Sequence, residues 1–301
     1  MSGFFIIFQK KMRALLTAFI FSFAGTTSMA QVQFWNQNDL EDQGMATIRK
    51  AGKVSRMIVY QTGETGNVSD SSTMESVSIY NRNGQLVSRT RYKYNWNKKV
   101  NELLSVDSFA YDGRGQWMWY AAYEGPYNRQ TFESVAAFNR KGQVERMSHY
   151  NFFDGEKKLE TYEVLTWNAK NQPVKLVSSK ADKKKNFERT FTYDASGNLV
   201  SHSFKDLGLN DVYMSGWKNG QLAAYSQKSG KTTVKQVAYT ADAAGRRIKK
   251  ETKTNTDYYD ITEYRYNGDS KLPVFTYLKY PGYNGKNDTR HEYRVFVYRY
   301  F

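Results

Sequence analysis

Residues able to do acid–base or metal chemistry are sparse in this chain. The three histidines, His149, His202 and His291, stand far apart, each in an alternating, strand-like pattern with polar neighbours. A metal site needs ligands that converge at short, defined spacings. No His-x-His, His-x3-His or carboxylate-flanked pair occurs, so the histidines read as strand residues exposed to water. The chain has no cysteine, which removes thiol nucleophiles, disulfides, Cys-held metals and a lipid-bearing N-terminal Cys. Glu156 and Glu160 form a carboxylate pair of the type glycosidases use, but spacing alone does not rank them. No Walker loop, GxSxG elbow or dinucleotide fingerprint opens a helix. The expectation is a protein without catalytic residues, cofactor or metal.

What remains is a glycine-centred stretch, Phe191 to Phe204, FTYDASGNLVSHSF, whose middle resembles a reactive loop until it is found again elsewhere. YNRNGQL begins at Tyr80, YDGRGQW at Tyr111, FNRKGQV at Phe138, WNAKNQP at Trp167, YDASGNL at Tyr193 and WKNGQL at Trp217. Looser copies are ADAAGRRI from Ala241 and YNGDSKL from Tyr266, with a degenerate RKAGKV at Arg49. The pivotal residue is Gly84, Gly115, Gly142, Asn171, Gly197, Gly220, Gly245 or Gly268, at spacings of 31, 27, 29, 26, 23, 25 and 23. Self-similarity recurring every 23–31 residues marks a repeat architecture.

The elements that must position these loops follow from their flanks. ESVSIY precedes the first copy and LVSRTRYKY follows it, while FERTFTY precedes the fifth. These are β-formers meeting at a short polar turn, which is a hairpin signal. The Gly answers a demand for φ > 0, and Asn171 is the residue that best replaces it there. Asp112, Asn139, Asn168 and Asp194 read as turn residues capping their own backbone, since a calcium loop needs several carboxylates and these loops carry Arg82, Arg114, Arg140, Lys141 and Lys170 instead. Wetter connections such as KADKKKN and QKSGKT lie between hairpins. The expected fold class is all-β: an antiparallel meander of roughly 16–18 strands, either a large curled sheet or a partly closed, porin-like barrel in water. Leu40 to Ala51 is the one short helical candidate.

The aromatic-Asp/Asn-x-x-Gly-Asn/Gln-Leu spacing resembles the YD repeat of Rhs-type bacterial proteins over roughly Gly52 to Tyr280, with its full form at Tyr193 to Leu199. NGQL at Asn83 and Asn219 is similar, more weakly, to MORN-like repeats. Asn often replaces Asp, and the partner Arg of the longer YD pattern is irregular. Either resemblance implies strings of β-hairpins and no catalytic residue.

Lys10, Lys11 and Arg13 precede the apolar run LLTAFIFSFAG and the small-x-small pair Ser28 and Ala30. This reads as a signal peptide over residues 1–30, with Met1 or Met12 as start, leaving 31–301 as a single β-repeat domain. Its removal takes three basic residues from a formal charge of +15, and the mature chain stays strongly basic, suited to polyanionic partners. Membrane insertion is not expected. IKKETKT and VERMSHYNF carry polar or charged residues on both faces, and a charge in hydrocarbon costs several kcal/mol. Arg89, Arg91 and Lys93 share one face that could line a lumen. The candidate ligand residues are Trp117, Trp119 and Tyr123, placed on one face by simple alternation and able to stack on sugar, and the basic run Lys183, Lys184, Lys185. The functional expectation is an exported, non-catalytic interaction or structural protein of the periplasm or cell exterior. Its partner would be an envelope glycan or another exported protein, and no nucleic acid. The alternatives are a glycan- or polyanion-binding protein and an outer-membrane β-barrel.

Overall fold

A computed structural model describes residues 45–62, 73–95, 97–125, 127–206, 210–219, 221–255, 259–280 and 292–301. The leader and its cleavage site lie outside the described residues, as do Gly220 and His291. The chain forms β1 (Arg56–Thr62), β2 (Thr73–Tyr80), β3 (Leu86–Asn95), β4 (Val100–Tyr111), β5 (Trp117–Glu124) and β6 (Arg129–Phe138). Then come β7 (Val144–Phe153), β8 (Glu156–Trp167), β9 (Pro173–Lys180), β10 (Lys185–Tyr193), β11 (Leu199–Lys205) and β12 (Asn210–Lys218). The last six are β13 (Gln221–Ser229), β14 (Thr232–Ala241), β15 (Arg247–Thr254), β16 (Tyr259–Tyr266), β17 (Pro273–Tyr280) and β18 (Glu292–Tyr300). Each strand pairs antiparallel with its neighbours in sequence, and β1 pairs with β18 as well as β2. The meander is therefore a closed 18-stranded barrel, and among the described residues one short helix, 45–51, stands ahead of it.

Closure demands stagger. A walk straight across the strands from Ile79 passes Ser88, Ser108, Ala121, Glu133, Tyr150 and Leu159. It begins beside the motif turn of β2 and ends near the opposite end of β8, so the strands are strongly tilted. Eighteen strands ~4.8 Å apart at a tilt of ~40° close on a backbone radius of about 18 Å. Accordingly each strand packs on its two ring neighbours. The seam is tied at its end as well: the Ser55 and Arg56 amides donate to the Phe301 carbonyl at 2.7 and 3.1 Å, and the Arg56 guanidinium lies 4.2 Å over the Phe301 ring.

Side chains converge on the concave wall of a barrel and diverge on the convex one, so burial tells the faces apart. In β12, Tyr213, Ser215 and Trp217 are buried or half-buried, as is Asp211, whereas Val212, Met214 and Gly216 are exposed. The same inner set includes Tyr80, Leu86, Trp117, Val144, Leu165, Leu176, Phe191, Leu199, Leu222 and Val237, which belong to the two apolar clusters. Arg89 and Arg91 also face inward, across from Asp107 and Ser105. This is the face that sequence alternation assigns to a lumen.

One irregularity recurs. After all eight motif turns the register slips by one residue: Tyr80 pairs with Leu86 but Ile79 with Ser88, and Tyr111 pairs with Trp117 but Ala110 with Trp119. The slips of the other six hairpins sit at the same place. A β-bulge of this kind adds one residue to the outgoing strand, increases its twist and re-aims every side chain beyond it.

Candidate functional site

The motif turns gather at one end of the barrel, and six of the eight share one construction, those opened by Asn81, Asp112, Asn139, Asn168, Asp194 and Asp242. In the first, the Gly84 amide donates to the Asn81 carbonyl and the Asn81 amide to the Gln85 carbonyl, both at 2.9 Å. This is a type I turn closed by a left-handed residue. Asn81 Oδ1 also accepts the Asn83 and Gln85 amides, at 2.9 and 3.1 Å. The same oxygen accepts the amide four residues on from Asp112, Asn139, Asn168, Asp194 and Asp242. At Asp194 and Asp242 those bonds favour the charged form. Asp194 is held below the usual carboxylate range by the Asn198 side chain and then by amides, and Asp242 by the Arg246 amide and guanidinium. The slot residue has positive φ in each described copy, 73° at Gly84 and 62° at Asn171.

Successive turns are laced together. Gln85 Nε2 donates to the Gly115 carbonyl at 2.7 Å, Arg114 to Gly142 at 3.0 Å, Gln143 to Asn171 Oδ1 at 2.6 Å and Arg246 to Gly268 at 2.6 Å. Below them the motif aromatics form a second tier. Tyr111 donates to the Leu86 carbonyl at 2.9 Å, Trp167 to Val144 at 2.8 Å, Trp217 to Leu199 at 2.8 Å, Tyr266 to Arg247 at 2.5 Å and Tyr300 to Pro273 at 2.8 Å. Each aromatic thus reaches back one repeat to a carbonyl where the bulge disrupts the ladder. The repeat motif is a device for joining neighbouring hairpins into a girdle.

The bulge separates the expected aromatic row. Met118 is the extra residue, so Trp117 points inward, 2% exposed in the core, and cannot offer its ring to a ligand. Trp119 and Tyr123 point outward. Trp119 Nε1 donates to Glu133 at 2.7 Å, Glu133 is ion-paired with Lys157, and the Lys157 ammonium lies 4.2 Å over the Tyr150 ring. Burial, reinforced by the Glu133 charge, pushes the Tyr123 hydroxyl up. The basic run is also divided. Lys183 and Lys184 form the turn between β9 and β10, at the far end from the motifs, while Lys185 opens β10. Lys184 pairs with Asp182 at 3.3 Å and Lys185 with Glu188 at 2.7 Å, leaving Lys183 as the free member.

The expectation of water-exposed histidines is overturned, because both described ones face inward. His202 is 2% exposed and stacks on Tyr213 at 4.4 Å with a 10° interplanar angle. Burial, with the Arg189 charge as a second cause, lowers its pKa to about 3. His149 Nδ1 lies 2.6 Å from Ser134 Oγ and its Nε2 3.5 Å from Glu163. A Ser–His–Glu row resembles nucleophile activation in outline, but Ser134 is 0% exposed, so no substrate carbonyl reaches its oxygen. Of its members only His149 lies beyond a bulge, at Glu145, that re-aims its strand; Ser134 and Glu163 follow plain alternation from Phe138 and Trp167. Among the described residues no cluster of three or more His, Asp or Glu is placed to hold a metal ion. A trough of about 620 Å³ runs along the outer wall, floored by the paired row Gly216, Ala224 and Ala238 and edged by Met214 and Lys253.

No family model matches the chain, and no curated protein matches it by sequence. Among solved structures it is similar to a porin-like protein from Bacteroides uniformis, at 9% identity and a TM-score of 0.43, covering 82% of this chain and 98% of that one. It is also similar to the TcdB2-TccC3-TEV crystal structure, at 12% identity and a TM-score of 0.32, covering 74% of this chain but 14% of that one. Likenesses at these scores carry no argument about function. The class is defined by the fold itself, a closed antiparallel barrel of hairpin repeats.

Proposed function

We propose that this chain is an exported barrel of the bacterial envelope that stands in water and works by binding or scaffolding, without catalysis. The observation that carries this reading is the outer wall. Glu133, Glu188, Glu251 and Glu263 lie near the middles of β6, β10, β15 and β16, on the convex face, beside Lys157, Lys175, Lys249 and Arg265. Charges at a bilayer midplane cost up to ~2–4 kcal/mol each, so this wall favours water. Outer aromatics are likewise covered by cations, Tyr162 by Arg146 at 4.3 Å and Tyr60 by Arg299 at 5.4 Å. The leader read from the sequence supports export.

A second reading, a lipid-embedded outer-membrane barrel, is favoured by ring closure and by the apolar outer positions Ile58, Val77, Ile79, Leu104 and Val106 on β1, β2 and β4. Fractionation of cells exporting the full chain separates the two. Release by osmotic shock or salt supports the water-facing barrel, and a carbonate-resistant membrane pellet soluble only in detergent overturns it.

A further inference from the structure

The motif end of the barrel carries a crown of unpaired cations. Arg82, Arg140, Lys141, Lys170, Lys218 and Lys271 are exposed, one or two on each of five motif turns, and among the described residues none of their side chains has an ion-pair or hydrogen-bond partner. Lys50 and Lys53 add to them where the helix 45–51 and its following turn cover the first motif turn. The rim's own acids are mostly engaged: Asp112 pairs with Arg114 at 3.2 Å and Asp242 with Arg246 at 2.7 Å. At the opposite end the described turns carry unpaired cations too, Lys99, Lys180, Lys183 and Lys231, but interleave them with ion pairs. Lys98 pairs with Glu102, Arg129 with Asp154, Lys158 with Glu156, Lys184 with Asp182 and Lys185 with Glu188.

We propose that the motif rim docks the barrel end-on against an anionic membrane surface. Successive motif turns are two strands, about 12 Å, apart around a ring of about 18 Å radius. The lacing hydrogen bonds between turns hold these charges at one level of the barrel. A flat surface of acidic headgroups meets all of them at once, whereas a single linear polyanion meets only a few neighbours unless it follows the ring. The docking is electrostatic and superficial, since the charged wall above the rim stays in water; it therefore rests on the water-facing reading given above. Its strength falls with ionic strength.

The experiment is sedimentation of the mature full chain with phosphatidylcholine vesicles, with and without phosphatidylglycerol. One variant carries Arg82→Gln, Arg140→Gln, Lys141→Gln, Lys170→Gln, Lys218→Gln and Lys271→Gln, and a control carries Lys99→Gln, Lys183→Gln and Lys231→Gln at the opposite end. Circular dichroism and melting check that both fold. Expected are binding only to the phosphatidylglycerol vesicles, release by salt, a loss of roughly fivefold per removed rim charge at low salt, and little change in the control. Equal loss in both variants, or dextran sulfate bound by the rim more tightly than vesicles of matched charge, overturns the membrane-docking inference alone. Salt-resistant binding that only detergent releases overturns the water-facing reading instead.

Discussion

Replacing Gly84 by alanine tests how the helix and the girdle are joined. Gly84 has φ 73°, and a Cβ there would lie 2.8 Å from the Lys50 amide nitrogen and closer still to the Ala46 carbonyl oxygen. These are backbone atoms of the helix 45–51, so the helix must lift. Lifting breaks the bond from Arg49 Nε to the Gly84 carbonyl, 2.8 Å long and buried, and withdraws the guanidinium from 4.4 Å over the Tyr80 ring. Gly245 provides the reference. Its φ is 76° but nothing lies within 4 Å of the place a Cβ would take, so Gly245→Ala meets only the left-handed penalty of ~1–2 kcal/mol. Gly84→Ala adds the charged hydrogen bond, about 1.5–3 kcal/mol, and a cation–π contact of ~1 kcal/mol. The expected gap between the two variants is therefore about 2–4 kcal/mol in urea unfolding at pH 7. The reasoning is refuted if the two variants unfold at the same midpoint, or if Gly245→Ala is the less stable.

Trp117→Ala should destabilise by about 3–5 kcal/mol, as emptying a packed aromatic site does, whereas Trp119→Ala, two residues on but on the outer wall, should cost about 1 kcal/mol for its lost hydrogen bond; equal losses would place both on one face after all. His202 has a folded pKa of about 3 against an ordinary 6.5. The unfolded chain therefore takes up the proton first, and stability present above pH 6.5 declines by up to ~1.4 kcal/mol per pH unit as pH falls toward 3. His202→Leu should flatten that slope between pH 6.5 and 4.5 in denaturant titrations, and an unchanged slope would assign it to other groups. Tyr111→Phe removes one rung of the aromatic ladder and should cost about 1 kcal/mol, read as a lowered melting temperature; no shift would mean that the bond to Leu86 is replaced by water. Deleting Phe301 removes three backbone bonds at the seam and should expose the amides of β1 and β18 to hydrogen exchange before those of β9 and β10.

Much of the architecture was legible because hairpin turns are local. The side-chain oxygen at Asn81 or Asp194, the left-handed slot at Gly84 or Asn171, and the β-formers on either side need only a few consecutive residues. Their recurrence therefore placed most motif-end turns and the approximate strand number. Alternation, however, is counted outward from a turn, and a single bulge such as Met118 inverts it. That is why Trp117 and Trp119 part company, and why His149 and His202 turn out to face inward.

A series of antiparallel hairpins with a basic surface is written into the residue order alone, because turn chemistry, strand propensity and net charge reside in short stretches and in composition. Three further features belong to the assembled barrel: the series closes, four mid-strand glutamates stand on the convex wall, and exposed cations of five separate motif turns come together around one rim. They depend on stagger summed over 18 strands and on which distant charges meet. The pairing of β1 with β18 brings Ser55 to Phe301, 246 residues apart, a contact that no local pattern encodes.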